Sequence, residues 1–218
     1  MDKKTNEQGV FYTVGEEIFN SVSHGVGVLL SIAALTLLII FAVMYSDGYG
    51  LAGGIVYGIS LILLYSMSTV YHIVQKPGAK RVLRIFDHCS IFILIAGTYT
   101  PYLLVCMQNP WRWILFGVIW GVTVVGILLN AIGLERFKKL SMICYIGMGW
   151  AIVFSIKQIA SVIALPGVIL LVAGGVVYTL GIIFYVLKKY RYMHSVWHLF
   201  VLGGSVCHYL SILLYVLK

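Results

Sequence analysis

Seven apolar runs, each long enough to cross a bilayer, follow one another along the chain with only short polar breaks between them. They cover residues 20–45, 51–74, 86–107, 111–131, 139–158, 166–187 and 194–217. The breaks are Ser46-Asp47-Gly48, the stretch from Gln75 to Arg84, Asn109-Pro110, the stretch from Glu135 to Lys139, Pro166, and the stretch from Lys188 to Arg191. A hydrocarbon core of about 30 Å takes about 20 helical residues. The pattern therefore predicts an all-α integral membrane protein, a single bundle of seven transmembrane helices with no room for a separate soluble domain. The first run is too long for the core of a signal peptide and has no small-residue cleavage site, so it is read as the first span. Gly54-xxx-Gly58 and Gly203-Gly204 predict close helix contacts. Pro101 predicts a kink in the third span, its freed carbonyl satisfied by neighbouring groups.

Composition agrees with the pattern. Of 218 residues, 61% are hydrophobic and only 10% charged, and the mean hydropathy is +1.00. A soluble domain of this length would need far more charge to cover its surface, so the outer surface must face lipid. The formal charge of +8 does not point to nucleic acid, because the basic residues sit in short clusters between the apolar runs. Cys89, Cys106, Cys144 and Cys207 all fall within apolar runs and form no CxxC, so they read as small buried hydrophobes.

The clusters orient the bundle. Lys3, Lys4, Lys76, Lys80, Arg81, Arg84, Arg136, Lys138, Lys139, Lys188, Lys189 and Arg191 fall on one side, against Arg112, Lys157 and Lys218 on the other. By the positive-inside rule the amino terminus is cytoplasmic and the carboxyl terminus outside, the reverse of a G-protein-coupled receptor.

Ionisable residues in or beside a span ask for a reason. Glu17, Asn20 and His24 lie at the cytoplasmic start of the first span, with Glu16 beside them. Ser68 and His72 lie at the cytoplasmic end of the second, Asp87 and His88 at the start of the third, and His194 and His198 at the start of the seventh. Four helices thus bring polar groups to one depth of one membrane face. His194 and His198 are one helical turn apart, a spacing that lets two imidazoles grip one ion, and Ser68 and His72 share it on another helix. Three histidines would leave a fourth tetrahedral position for water, the arrangement of a catalytic zinc. Asp87 could then hold that water or orient a histidine, and Ser68 could steer the water or an oxyanion. Plainer readings exist. Asp87 could pair with Arg84 or Arg81, Ser68 could bond back to the Leu64 carbonyl, and Glu16 and Glu17 could be helix-start charges. Histidine ligands would also suit iron, copper or nickel. His88 points about 100° away from Asp87 on a helix, so Asp87 is taken to face inward. His208 lies ten residues beyond His198, about 15 Å along the helix, too deep for the same ion and placed to bond to a neighbouring span.

The combination Glu17-xx-Asn20-xxx-His24, Ser68-xxx-His72, Asp87 and His194-xxx-His198, in that order over nearly the whole chain, resembles the progestin and adipoQ receptor family. The small size and the His194-to-His208 stretch resemble its bacterial, haemolysin III-like branch. The resemblance implies a seven-helix fold with an intracellular zinc site, zinc on His72, His194 and His198, and Asp87 and Ser68 around the bound water. Glu17, Asn20 and His24 would support that site. It also implies kinship with alkaline ceramidases, which hydrolyse lipid amides.

The expected function is a zinc-dependent hydrolase of a membrane-lipid amide or ester, in the plasma membrane, with the lipid entering sideways. Two alternatives stand beside it: a non-enzymatic receptor or sensor stapled by structural zinc, and a membrane-lytic protein. Charged pore-lining residues are missing from span interiors, which argues against an intrinsic pore.

Overall fold

The first two helices begin where a side chain satisfies free backbone N–H groups. In the computed structural model, which describes residues 12–187 and 189–218, the described residues form helices and no strand. Helix α1 (Val14–Tyr45) starts with a reciprocal capping box, in which the Thr13 hydroxyl accepts from the Glu16 N–H and the Glu16 carboxylate accepts from the Thr13 N–H at 2.8 Å. Helix α2 (Gly48–Ile73) is capped by Asp47, whose carboxylate accepts from the Gly50 N–H at 2.9 Å. Helix α3 (Pro77–Cys106) opens with proline in its first turn, where a missing N–H does no harm. Both α1 and α3 therefore start earlier than hydropathy predicts, α3 nine residues before residue 86. That added stretch of α3, about two and a half turns, carries Lys80 and Arg84, both buried, and Lys80 reaches the site described below.

Helix α4 (Trp111–Trp150) is followed by a 3-10 turn (Ala151–Ser155) and the short α5 (Ile156–Ala160). Gly133 alone within α4 leaves helical geometry, at φ −172° and ψ 79°. The expected break over Glu135 to Lys139 is thus helical, and the chain bends two residues earlier. Helix α6 (Leu165–Val186) and α7 (Met193–Ser211) complete the set, α7 ending in a π turn over Ile212–Val216. Among the described residues, six helical stretches are long and apolar enough to cross a membrane, the fourth being the 50-residue stretch Trp111–Ala160. Lys3, Lys4 and Lys188 lie outside the described residues.

Helix α3 is the most buried element and packs on α2 and α4, while α1 packs on α2 and α7, and α6 on α7. Phe92, Ala96, Tyr102 and Leu103 of α3 are almost fully enclosed. Tyrosines tie the core together at their hydroxyls. Tyr65 donates to the Ser205 hydroxyl at 2.7 Å, the Tyr178 hydroxyl meets the same oxygen at 2.7 Å, and Tyr102 donates to Ser211 at 2.7 Å. Close contacts fall where glycine pairs were expected. A Cβ at Gly58 would come within 2.6 Å of Leu35, and one at Gly204 within 2.7 Å of the Tyr178 ring. Pro101 sits inside α3 against Gly53, and the hydroxyls of Thr98 and Thr100 bond back to Leu94 and Ala96 at 2.8 Å each. The four cysteines are unpaired; Cys89 and Cys106 are buried and the other two half-buried. Large apolar side chains such as Leu29, Val43, Val125 and Phe154 point outward, as lipid contact demands.

Candidate metal centre

Three imidazoles converge where α1, α2 and α7 meet. One ligand atom from each of His72, His194 and His198 can be chosen so that all lie within 4.8 Å of one another, and all three side chains are buried. The Nε2 atoms of His194 and His198 are 3.2 Å apart. Nitrogens bound at about 2.0–2.1 Å to a tetrahedral ion would be about 3.3–3.4 Å apart, so this pair already has the spacing that one ion requires.

Neighbouring groups set the outward-turned nitrogens. His72 Nδ1 is 2.6 Å from Glu17 Oε2, while its buried Nε2 has no hydrogen-bond partner. A neutral His72 donating from Nδ1 to Glu17 keeps the Nε2 lone pair for a cation, the usual carboxylate–histidine–metal relation. Lys80 donates to the other Glu17 oxygen at 2.7 Å, so Glu17 bridges α2 and α3. On α7, His198 Nδ1 faces the Asn20 carbonyl at 3.3 Å, leaving Nε2 toward His194. The Asn20 side chain accepts from Ser195 at 2.6 Å and ties α1 to α7. His24 stacks on His198 with ring centroids 3.7 Å apart, and neither of its ring nitrogens has a hydrogen-bond partner.

Glu16 has a different task from Glu17. Its Oε1 accepts from the Tyr192 N–H at 2.7 Å, two residues before His194. Tyr192 has φ 61°, a left-handed conformation uncommon for a non-glycine residue. Glu16 thus holds the strained turn that launches α7. Tyr12 closes the cluster from the amino-terminal side, stacked on His194 at 4.8 Å and edge-on to His72 at 5.7 Å. Burial pushes the Tyr12 phenol well above its ordinary pKa, so it stays neutral there. Ser195, Lys80 and Tyr12 were not singled out in the sequence, since none belongs to a spaced histidine motif.

Asp87 and Ser68 line a cavity of about 180 Å³ together with His24, His88, His194 and His198. Arg84 pairs with Glu135 of α4, and His88 Nδ1 lies 2.9 Å from the Arg84 carbonyl and 3.5 Å from Asp87 Oδ2. Both Asp87 and His88 therefore border the cavity, where only Asp87 was expected to. Ser68 and Leu64 both line the cavity. His208 stands apart from the ion site, with Nε2 3.1 Å from the Leu171 carbonyl of α6, a bond to a neighbouring helix as its depth implied.

Donor set and geometry suit a single metal ion that favours histidine ligands. The buried His72 Nε2 lacks a hydrogen-bond partner, the Nε2 atoms of His194 and His198 are at ligand spacing, and the Nδ1 atoms of His72 and His198 face acceptors. Residues 12–209 match the family described as haemolysin-III related. The chain is 43% identical to Hemolysin-3 of Bacillus cereus over 204 residues, which is 94% of this chain and 93% of that protein. It is 40% identical to a Hemolysin-3 homolog of Bacillus subtilis (strain 168) over 207 residues, 95% and 97% of the two chains. More distantly, it is 29% identical to the human monocyte to macrophage differentiation factor over 175 residues, 75% of this chain and 70% of that one. Fold, apolar surface and sequence agree: this is a multi-pass membrane protein of the haemolysin-III-related family.

Proposed function

We propose that the protein is a zinc-dependent hydrolase of a membrane-lipid amide or ester, working at the cytoplasmic face. The observation that carries this reading is the juxtaposition of the three-histidine cluster with a cavity whose walls are apolar and whose end at the cluster holds Asp87 and Ser68. A purely structural zinc would need no such chamber.

The membrane arrangement supports it. At 1.5 Å per residue, the stretch Trp111–Ala160 would be about 75 Å long, more than twice the roughly 30 Å core, if it were a single straight span. The break at Gly133 divides it into two. Read as two spans, it brings the number to seven, and the positive-inside rule then puts the amino terminus inside and the carboxyl terminus outside. Glu135, just past the break, pairs with Arg84 at the start of α3, so the charged ends of these helices lie on one side. Of the elements around the cavity, α4 and α6 pack on each other only lightly. Leu134, Lys138 and Ile146 of α4 face Ile182 and Tyr185 of α6 across it, which gives a lipid a sideways entry.

A zinc ion held by His72, His194 and His198 would supply Lewis acidity and make a water molecule acidic near neutral pH. Asp87 takes the proton from the attacking water and passes it to the leaving amine or alcohol. Ser68 donates to the oxyanion that develops on the lipid carbonyl. Glu17 keeps His72 in the correct tautomer, and Asn20 does the same for His198. His24 packs the His198 ring in place. The products are a fatty acid and the amine or alcohol it was joined to.

The test is to supply the purified, zinc-loaded protein in lipid nanodiscs with N-acyl and O-acyl lipids and to follow fatty acid release. Release that is lost on chelation supports the reading. A protein that binds zinc stoichiometrically, loses stability on its removal and releases no fatty acid from any lipid is instead a zinc-stapled sensor or receptor. The relatives' name, Hemolysin-3, also raises direct lysis; leakage of dye from vesicles without any lipid breakdown would favour that.

A further inference from the structure

The cavity beside the histidine cluster extends along α7 to His208, and a second cavity adjoins it there. The second, about 60 Å³, shares Thr98, Tyr99, Gly149, Trp150, Gly175 and His208 with the first. It continues between α3, α6 and the turn after α4, toward Tyr102, Ile152 and Leu171. His208 is held firmly at the junction. Its Nε2 bonds to the Leu171 carbonyl at 3.1 Å, and its ring packs so closely on Gly174 that a Cβ there would come within 2.3 Å. Tyr178 backs it, with ring centroids 5.4 Å apart.

Resting on the hydrolase reading, we propose that His208 is the stop that sets the length of the acyl chain the protein accepts. From His198 to His208 is about 15 Å along α7, half the roughly 30 Å hydrocarbon core, the depth occupied by one leaflet's chains. An acyl chain with its carbonyl at the histidine cluster runs down the apolar first cavity and meets the His208 ring with its methyl end. A medium-length chain fits in front of the ring. A longer one needs the second cavity, which the ring closes. A histidine buried in the bundle, bonded to a backbone carbonyl and remote from the ion site, has this use as a wall without any part in the chemistry.

Two opposite substitutions follow. His208→Ala removes the ring and joins the cavities. Gly175→Leu fills the junction from α6; unlike Gly174, a Cβ at Gly175 meets nothing within 4 Å, so the side chain enters open space. The test uses the full-length protein in detergent with octanoic, dodecanoic, hexadecanoic and octadecanoic acids as probes. Binding is read as the shift in melting temperature and, independently, as competition with a radiolabelled fatty acid. Wild type should prefer dodecanoic acid, with at least tenfold weaker binding of octadecanoic acid. His208→Ala should move the preference to the longer acids and Gly175→Leu to octanoic acid.

Fatty acid binding with the same length profile in all three proteins overturns the stop while leaving the hydrolase reading intact. A wild type that binds none of the acids overturns both. Because His208→Ala could loosen the bundle, Gly175→Leu serves as the second arm. If it leaves the profile unmoved while still binding, the stop is not at this junction.

Discussion

Replacing Glu17 tests the centre without touching a metal ligand. Its carboxylate is 2.6 Å from His72 Nδ1 and 2.7 Å from Lys80 Nζ, and both partners are nearly inaccessible to solvent. Glu17→Gln keeps the size and leaves a carbonyl that can still accept from His72, but removes the charge that makes the imidazole a stronger ligand. Glu17→Ala removes the acceptor altogether and frees the ring to turn. Loss of such a supporting contact costs about 10- to 100-fold in metal affinity, or roughly 1.4–2.8 kcal/mol. The glutamine variant should fall near the lower figure and the alanine variant near the upper. Lys80 loses its carboxylate partner in both, so melting temperature should fall in both and does not discriminate. The assay is competition for zinc against a chromogenic chelator in detergent, with Glu16→Gln alongside. Glu16 holds the Tyr192 turn and touches no ligand ring, so it should alter affinity less than Glu17→Ala. Unchanged zinc affinity in Glu17→Ala would refute the claim that His72 binds through a nitrogen oriented by Glu17.

Three further outcomes are expected. Asp87→Asn should keep zinc but lower fatty acid release by about 10²- to 10⁴-fold, the range for loss of a general acid–base; full activity would remove Asp87 from the proton path. Gly58→Leu, forced against Leu35 at a contact with no spare room, should lower stability by about 1–3 kcal/mol, seen as a lower melting temperature with zinc content retained. In a background without native cysteines, Asp47→Cys and Asn109→Cys should react with a membrane-impermeant thiol reagent added to whole cells, whereas Lys189→Cys should react only after lysis. The reverse pattern would invert the orientation.

Much of the architecture is legible because a lipid environment leaves few options: apolar runs of sufficient length must be helices. What hydropathy discards is the polar start of a helix. Thr13-xx-Glu16 and Pro77 are helix-start signals in plain view, yet they precede the apolar positions. Hydropathy therefore reads the start of α3, and Lys80 with it, as a loop. The Gly133 bend was blurred for a similar reason, since one glycine in an apolar stretch carries less signal than the charges two residues on. At the centre, spacing brought out His194 with His198 and placed Ser68 near His72, but it could not separate Glu16 from Glu17. Neighbours on a helix point about 100° apart, and only the packing of α1 between α2 and α7 decides that one reaches Tyr192 and the other His72. The stacking of His24 on His198 and the lid formed by Tyr12 depend on the same packing.

The most direct test is elemental analysis of the purified wild type beside His72→Ala, His194→Ala, His198→Ala and His208→Ala. The account predicts about one zinc per chain in wild type and His208→Ala, and well below one in the other three. A wild type without metal, or a His208→Ala variant that empties as completely as His198→Ala, would contradict it.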